Sequence, residues 1–221
     1  MRISVVTTAL NEVEYVAKFV KRVREALKGF EYEIVFVDGG SMDGTFEVAK
    51  ELCDVALRIP RASQSEGLLT GIKVASYPIV VTLDVDLENP PELIPKMLEV
   101  FEKRKLDILV ASRSKLPRVG EIIASATLGK MVGIKDFFSN FRVYRRELFE
   151  SYELKLGETF GGELLLAAWL RGAKIGELIY DPPPRRSRPR VGGALKANAR
   201  IAKVLIKLFA FLIIEGVMKA R

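Results

Sequence analysis

The feature that most restricts what this chain can fold into is a rhythm of apolar residues. Short, nearly unbroken apolar runs alternate with stretches whose apolar positions recur every three to four residues. "ISVVTT" (3–8), "YEIVFVD" (32–38), "VALRI" (55–59), "PIVVTLDVD" (78–86) and "DILVAS" (107–112) read as strands. Between them, "LNEVEYVAKFVKRVREAL" (10–27), "TFEVAKEL" (45–52), "EGLLTGIKVAS" (66–76) and "PPELIPKMLEVFEK" (90–103) read as helices. Val16, Phe19, Val20, Val23 and Leu27 share one face of the first helix, and Asn11 with Glu14 makes a capping-box pattern at its start. Pro91 suits a helix beginning, whereas two glycines weaken the pattern at 66–76. Strands that are apolar on both faces must be covered on both. The alternating order therefore predicts an α/β fold, a mainly parallel sheet with helices on each side.

Beyond residue 115 the rhythm loosens. "GEIIASATLGKMVG" (120–133) reads as a helix, "NFRVYRRELF" (140–149) as a strand entering a short helix, and "GGELLLAAWLRGA" (161–173) as a helix with Trp169 in the core. "KIGELIYDPPP" (174–184) is a strand ended by prolines. No internal repeat or linker interrupts residues 1–184, so one domain is expected there, followed by a basic segment over 185–221.

Histidine is absent and Cys53 is the only cysteine. That excludes Ser-His-Asp and Cys-His catalysis, histidine or CxxC metal sites and an internal disulfide. Any metal must be a hard cation on oxygen ligands, such as Mg²⁺ or Mn²⁺. The single cysteine and the lack of a signal-peptide pattern lead to an expected cytoplasmic address. The charge of +7 is uneven: residues 185–221 hold ten Lys/Arg against Glu215 alone, leaving 25 basic and 27 acidic residues before them. The tail thus seeks an anionic partner.

One strand carries a puzzle. "VVTLDVDLENPPELI" (80–94) ends in Asp84, Asp86 and Glu88, where a buried strand should avoid charge. Ligands of such sheets sit beyond the carboxyl ends of the strands. On an extended chain Asp84 and Asp86 share a face about 7 Å apart. Two carboxylates at about 5 Å repel by roughly 3 kcal/mol at an effective dielectric near 20. A divalent cation reverses that repulsion and can also hold a diphosphate. The plainer reading is an acidic start to the next helix, which a lone D-x-D usually means.

Taken together, six segments resemble the family-2 glycosyltransferases, and within them the dolichol-phosphate mannose synthase group. "ALNE" (9–12) resembles the exit of the family's first strand, with Thr8 where Pro is usual. "VDGGSMDGT" (37–45) is similar to V-D-D-G-S-x-D-G-T, with Gly39 for the second Asp. "DVDLENPPELIPKML" (84–98) resembles D-A-D-L-Q-x-P-P-E-x-I-P, with Glu88 for Gln. "ASRS" (111–114) resembles the G-S-R after the next strand, and "IKDFFSNFRVYRRELF" (134–149) the D-x-x-S-G-F-x-x-x-R block, with Asn140 for Gly. "SRPRVGGAL" (187–195) is similar to R-x-R-G-x-S-K-L, with Ala194 for Lys. The resemblance implies a GT-A, Rossmann-like fold, a GDP- or UDP-hexose donor, Mg²⁺ or Mn²⁺, and inversion at the anomeric carbon. It implies that Glu12 and Asp38 contact the nucleoside, that Asp84 meets the ribose or metal, and that Asp86, with Glu88, ligates the metal. Asp136 would contact the acceptor or serve as base.

Each residue has a plainer alternative. Asp38 can cap its own turn. Arg61 and Gln64 approach the diphosphate or belong to a solvated loop. Asp136 can be an exposed loop residue. Arg113 binds phosphate or forms a salt bridge on the sheet rim. Arg188 and Arg190, within the cluster Arg185–Arg190, close over phosphates or form a charged linker. No aromatic residue is interleaved with them, which argues against a nucleic-acid partner. The tail from Leu195 reads as one helix. Lys196, Arg200, Lys203 and Lys207 line one side, and Ile201, Val204, Leu205, Leu208, Phe211 and Leu212 occupy the rest. It either lies on an anionic membrane, as a peripheral anchor on the cytoplasmic face, or packs on the domain. The expected activity is hexose transfer, with mannose or glucose as the sugar, to a polyprenyl phosphate. The alternatives are transfer to a hydroxyl acceptor and a non-catalytic membrane-surface homologue.

Overall fold

In the computed structural model, which describes residues 1–183 and 193–219, the apolar runs become strands of one sheet. They are β1 (Arg2–Ala9), β2 (Glu31–Asp38), β3 (Val55–Arg58), β4 (Ile79–Thr82), β5 (Ile108–Arg113), β6 (Arg142–Arg145) and β7 (Ile175–Tyr180). Their order is β3-β2-β1-β4-β6-β5-β7, and β6 alone runs antiparallel to its neighbours. The helices are α1 (Val13–Ala26), α2 (Thr45–Leu52), α3 (Gln64–Val74), α4 (Ile94–Lys103), α5 (Val119–Ala124), α6 (Lys130–Val132), α7 (Gly162–Leu170) and α8 (Gly193–Lys219). A π turn at Ser125–Gly129 joins α5 to α6, and a 3₁₀ turn at Pro91–Leu93 leads into α4.

Both faces of the sheet are covered. Phe19 and Val23 of α1 with Met97 and Phe101 of α4 pack on one face; Ile72 of α3, Leu165 of α7 and Leu208 of α8 pack on the other. Trp169 is partly buried against this second core. The glycines that weaken α3 as a sequence pattern have a packing reason. A Cβ at Gly67 would lie 2.8 Å from Thr8 Cγ2, and one at Gly71 would lie 2.4 Å from Val6 Cγ1. The helix therefore seats directly on β1, which no larger residue would allow.

Two expectations are corrected. Asn11 does not cap α1: it sits at φ +55°, and its side chain accepts a hydrogen bond from the Met42 N–H. The α1 N-terminus is held across space instead, Glu12 N donating to Thr45 Oγ1 (2.8 Å) and Val13 N to Asp43 Oδ2 (3.2 Å). The capping box belongs to α3, where Ser63 and Glu66 exchange both hydrogen bonds. Second, β4 stops at Thr82, four residues before the expected end at Asp86. For the tail helix, the structure shows the second of the two alternatives, packing on the domain. Ile201, Val204, Leu205, Leu208 and Phe211 are no more than 7% exposed. A different set of apolar residues on α8, Ile206, Phe209 and Ile213, faces water. No helix among the described residues is long and apolar enough to cross a membrane.

Candidate functional site

The parallel strands end at one edge of the sheet, and the reversed β6 begins there. The loops after β1, β4 and β5 and the loop before β6 thus surround a single cleft of about 800 Å³. Such a crevice, beyond the carboxyl ends of the strands, is where open α/β sheets bind ligands.

The cleft is lined by an acidic cluster. Although β4 has ended, the period of two persists: Leu83 and Val85 are 1% and 2% exposed, while Asp84, Asp86 and Glu88 line the cleft. The three carboxylates share a side because alternate apolar residues anchor a turn, not because they extend a strand. Asp86 Oδ1 accepts the Glu88 N–H at 3.0 Å, the short-range bond typical of Asp in turns. Leu87 adopts φ +62°, which costs on the order of 1 kcal/mol for a residue with a branched side chain. Asp84 Oδ1 accepts a hydrogen bond from Gln64 Nε2 at 2.8 Å. Burial, then the charges of Asp86 and Glu88, push the Asp84 carboxyl up to about 7, against the pull of Arg113 and a hydrogen bond from Asn140. The cluster thus carries more negative charge than it can comfortably hold ionised, and its donors are hard oxygens. Both properties fit a divalent cation. Among the described residues no three acidic side chains form a ready-made metal cage, so a bound ion would need ligand oxygens to complete its shell.

A cationic cluster lines the same cleft. Arg113, Lys115, Arg118 and Arg200 line it. Arg113 is held from behind by Asp136, with Nε–Oδ2 at 2.6 Å and Nη2–Oδ1 at 3.1 Å, and Glu121 lies 3.5 Å from Nη2. Burial works against the guanidinium charge. The hydrogen bonds and charge of Asp136, with Glu121, more than offset it and raise the Arg113 pKa. Glu121 also pairs with Arg118 at 2.7 Å. Arg142 is fully buried beneath the site and donates to Phe137 O, Gly161 O and Tyr144 Oη at 2.8 to 3.0 Å. It ties together the two loops that present Ser139, Asn140, Glu158 and Phe160 to the cleft.

Of the residues singled out in the sequence, Glu12, Gln64, Asp84, Asp86, Glu88 and Arg113 line the cleft. Asp38 does not. It is wholly buried, accepting the Gly40 and Ser41 N–H groups and pairing with Arg58 Nε at 3.0 Å, so it caps its turn. Arg61 is exposed, at φ +64°, on the loop before α3. Asp136 is 1% exposed behind Arg113 rather than on a surface loop. Arg188 and Arg190 lie outside the described residues. Lys115, Arg118, Glu121, Arg142 and Arg200 were not foreseen as part of the site. Arg200 carried a visible signal, as a member of the tail's basic stripe, but the helix carries it to the cleft.

The sequence model described as "Glycosyl transferase family 2" matches residues 4–153. The chain is 34% identical over 217 aligned positions to the dolichol-phosphate mannosyltransferase of Pyrococcus furiosus, covering 90% of this chain and 60% of that protein. It is 29% identical to the dodecaprenyl-phosphate galacturonate synthase of Rhizobium johnstonii, covering 80% and 58%. To the bactoprenol glucosyl transferase of Shigella phage SfV it is 32% identical, covering 70% and 55%. It therefore spans somewhat under two thirds of the length of these relatives. Among solved structures, glucosyl-3-phosphoglycerate synthase of Mycobacterium tuberculosis superposes with a TM-score of 0.78 at 23% identity, over 94% of this chain and 79% of that one. The same enzyme bound to Mn²⁺, UDP-glucose and phosphoglyceric acid gives a TM-score of 0.77. At that identity the likeness establishes the fold, a mostly parallel GT-A sheet.

Proposed function

The chain belongs to glycosyl transferase family 2, and from that premise we propose that it moves a hexose from a nucleoside-diphosphate sugar to a polyprenyl phosphate at a membrane surface. The observation that carries this reading is that one cleft is lined both by a carboxylate cluster and by a cluster of guanidinium and ammonium groups. A reaction between two phosphate-bearing substrates must hold both anions within bonding distance. It therefore needs cations on the acceptor side and a metal-ready carboxylate cluster on the donor side.

Asp84 and Asp86 would hold Mg²⁺ or Mn²⁺, with Glu88 adding an oxygen. Such an ion supplies charge neutralisation for a departing diphosphate. Glu12 and Gln64 line the donor side, and Gln64 orients Asp84. The acceptor phosphate is already ionised at neutral pH, so no general base is required. Its oxygen forms the new bond to the anomeric carbon. The bond from that carbon to the diphosphate oxygen breaks, the electron pair leaving with the diphosphate. Arg113 offsets the charge where the two phosphates meet. Asp136 places both its oxygens on Arg113, which makes it a positioning residue and supports the phosphate acceptor over a hydroxyl one. Val119, Ile122 and Ile123 on α5 and Ile206, Phe209 and Ile213 on α8 leave apolar side chains in water. They offer contacts to lipid where the acceptor resides.

The test is a transfer assay with UDP- and GDP-linked glucose and mannose, a polyprenyl phosphate in liposomes, and Mn²⁺ or Mg²⁺. We expect one donor to give a lipid-linked sugar and Asp86→Ala to abolish both turnover and metal-dependent nucleotide binding. Absence of metal-dependent binding to every nucleotide in the wild type would overturn the reading.

A further inference from the structure

We propose that Arg200 of the C-terminal helix, together with Arg118 of the β5–α5 loop, forms an acceptor-phosphate clamp, so that α8 is part of the substrate site rather than only a brace or an anchor. The proposal rests on the phosphate-acceptor reading above. Arg200 and its neighbour Ile201 line the same cleft as Arg113 and the carboxylates. Arg118 and Arg113 share the buried Glu121, which is 5% exposed, so one carboxylate compensates two guanidinium groups. Asp136 offsets a second positive charge. Lys115 and Arg200 bring two more charges to the cleft, and among the described residues neither is in an ion pair. These four cations thus outnumber by two the carboxylates that pair with them, an excess that a bound anion would neutralise. Guanidinium forks suit the oxygens of a phosphate.

The position of Arg200 is set by a close fit between α5 and α8. Gly120 N donates to Asn198 Oδ1 at 3.1 Å, and a Cβ at Gly120 would lie 2.7 Å from Ile201 Cγ2. The other side of α8 is tied to the loop that carries Glu158 and Phe160. Lys207 Nζ donates to Leu156 O at 2.8 Å, and Lys155 pairs with Glu215 at 2.6 Å. The helix is thus fastened to both flanks of the cleft, with the exposed Arg200 lining it. An anchor whose only task was to meet lipid would need neither attachment.

The experiment titrates the full chain with a soluble probe, farnesyl phosphate, by calorimetry, and repeats the titration with uncharged farnesol. Arg200→Gln is compared with Arg200→Lys and with Lys203→Gln, which removes the same charge from an exposed position of the same helix that does not line the cleft. We expect Arg200→Gln to weaken farnesyl phosphate binding at least tenfold, Arg200→Lys to recover part of it, and Lys203→Gln to change it less than twofold. Thermal midpoints and affinity for UDP with Mn²⁺ should stay at wild-type values in all three. Equal effects of Arg200→Gln and Lys203→Gln would reduce the clamp to general electrostatics and overturn it, as would equal wild-type affinity for farnesol. Wild-type protein that binds UDP with Mn²⁺ but not farnesyl phosphate would also overturn the clamp while leaving the donor side standing. Failure to bind farnesyl phosphate together with failure to bind either UDP or GDP with Mn²⁺ would remove the functional reading itself.

Discussion

The acidic and cationic clusters of the cleft are built in opposite ways. The acidic cluster is local: Asp84, Asp86 and Glu88 fall within five residues, and their shared orientation follows from Leu83 and Val85 being buried beneath them. The cationic cluster is assembled from the end of β5, the loop before α5 and a helix nearly ninety residues further on, and it depends on the packing that brings them together. A local cluster is robust to distant changes but self-repelling. A dispersed cluster avoids that strain at the cost of needing correct helix placement. Substitutions in the packing behind the cationic cluster should therefore damage fold and binding together, whereas those at the acidic cluster, or at the exposed Arg200, should spare the fold.

The largest expected effect is at Arg113. Arg113→Gln leaves Asp136 as a buried carboxylate without its cation, a loss of about 3–5 kcal/mol in stability, read as a lower denaturation midpoint. Asp136→Asn should be milder and should raise the acceptor KM without adding a new pKa to the pH–rate profile. If Asp136 were a general base, kcat would collapse and the profile would change shape. That pair of measurements is the direct test of whether the acceptor brings its own charge.

Second comes the helix contact that the cationic cluster depends on. Gly120→Ala puts a methyl into the space of Ile201 and should cost about 1–3 kcal/mol while raising the KM for a polyprenyl phosphate. Adding Ile201→Ala, which removes the Cγ2 that the new methyl meets at 2.7 Å, should restore part of the KM. Additive losses in the double variant would separate α8 placement from acceptor binding.

Why one cluster was legible in the sequence and the other was not follows from the same contrast. Period-two and period-3.6 patterns report local geometry, so the alternating strands and helices, both covered faces and the acidic triplet could be read directly. Capping chemistry was misassigned at Asn11 because the groups that hold α1 come from Asp43 and Thr45 on another loop. The end of β4 was overrun because a strand and an anchored turn can share one alternation of apolar and polar residues. The tail was ambiguous because α8 has two apolar sides, Ile201 to Phe211 buried and Ile206 to Ile213 exposed. Arg142 gave no signal, since nothing in a sequence marks an arginine whose partners are backbone carbonyls of distant loops.

At the acidic cluster the prediction concerns protons. Asp84 has a folded-state pKa of about 7 against an ordinary 3.8. The stability supplied by its protonated form is fully present below about pH 4 and is lost as the pH rises to about 7. The metal-free wild type should therefore lose thermal stability relative to Asp84→Asn across that window, by a few degrees. Mn²⁺ with the donor nucleotide should cancel the loss in the wild type and do little for the variant. A pH-independent difference between the two proteins would mean that the three carboxylates do not strain one another. It would also remove the electrostatic argument for a cation there.

The smallest effect should come from the outer tie of α8. Lys155 and Glu215 lie 2.6 Å apart with side chains 52% and 25% exposed, so Lys155→Ala should cost under about 1 kcal/mol and less still in high salt. Its use is as a counterpart to Gly120→Ala. Both substitutions touch a fastening of the same helix, but only the one beside Arg200 should change the KM for a phosphate acceptor. If the two shifted KM equally, α8 would be acting on the cleft as a rigid body, and the position of one guanidinium would matter less than the seating of the whole helix.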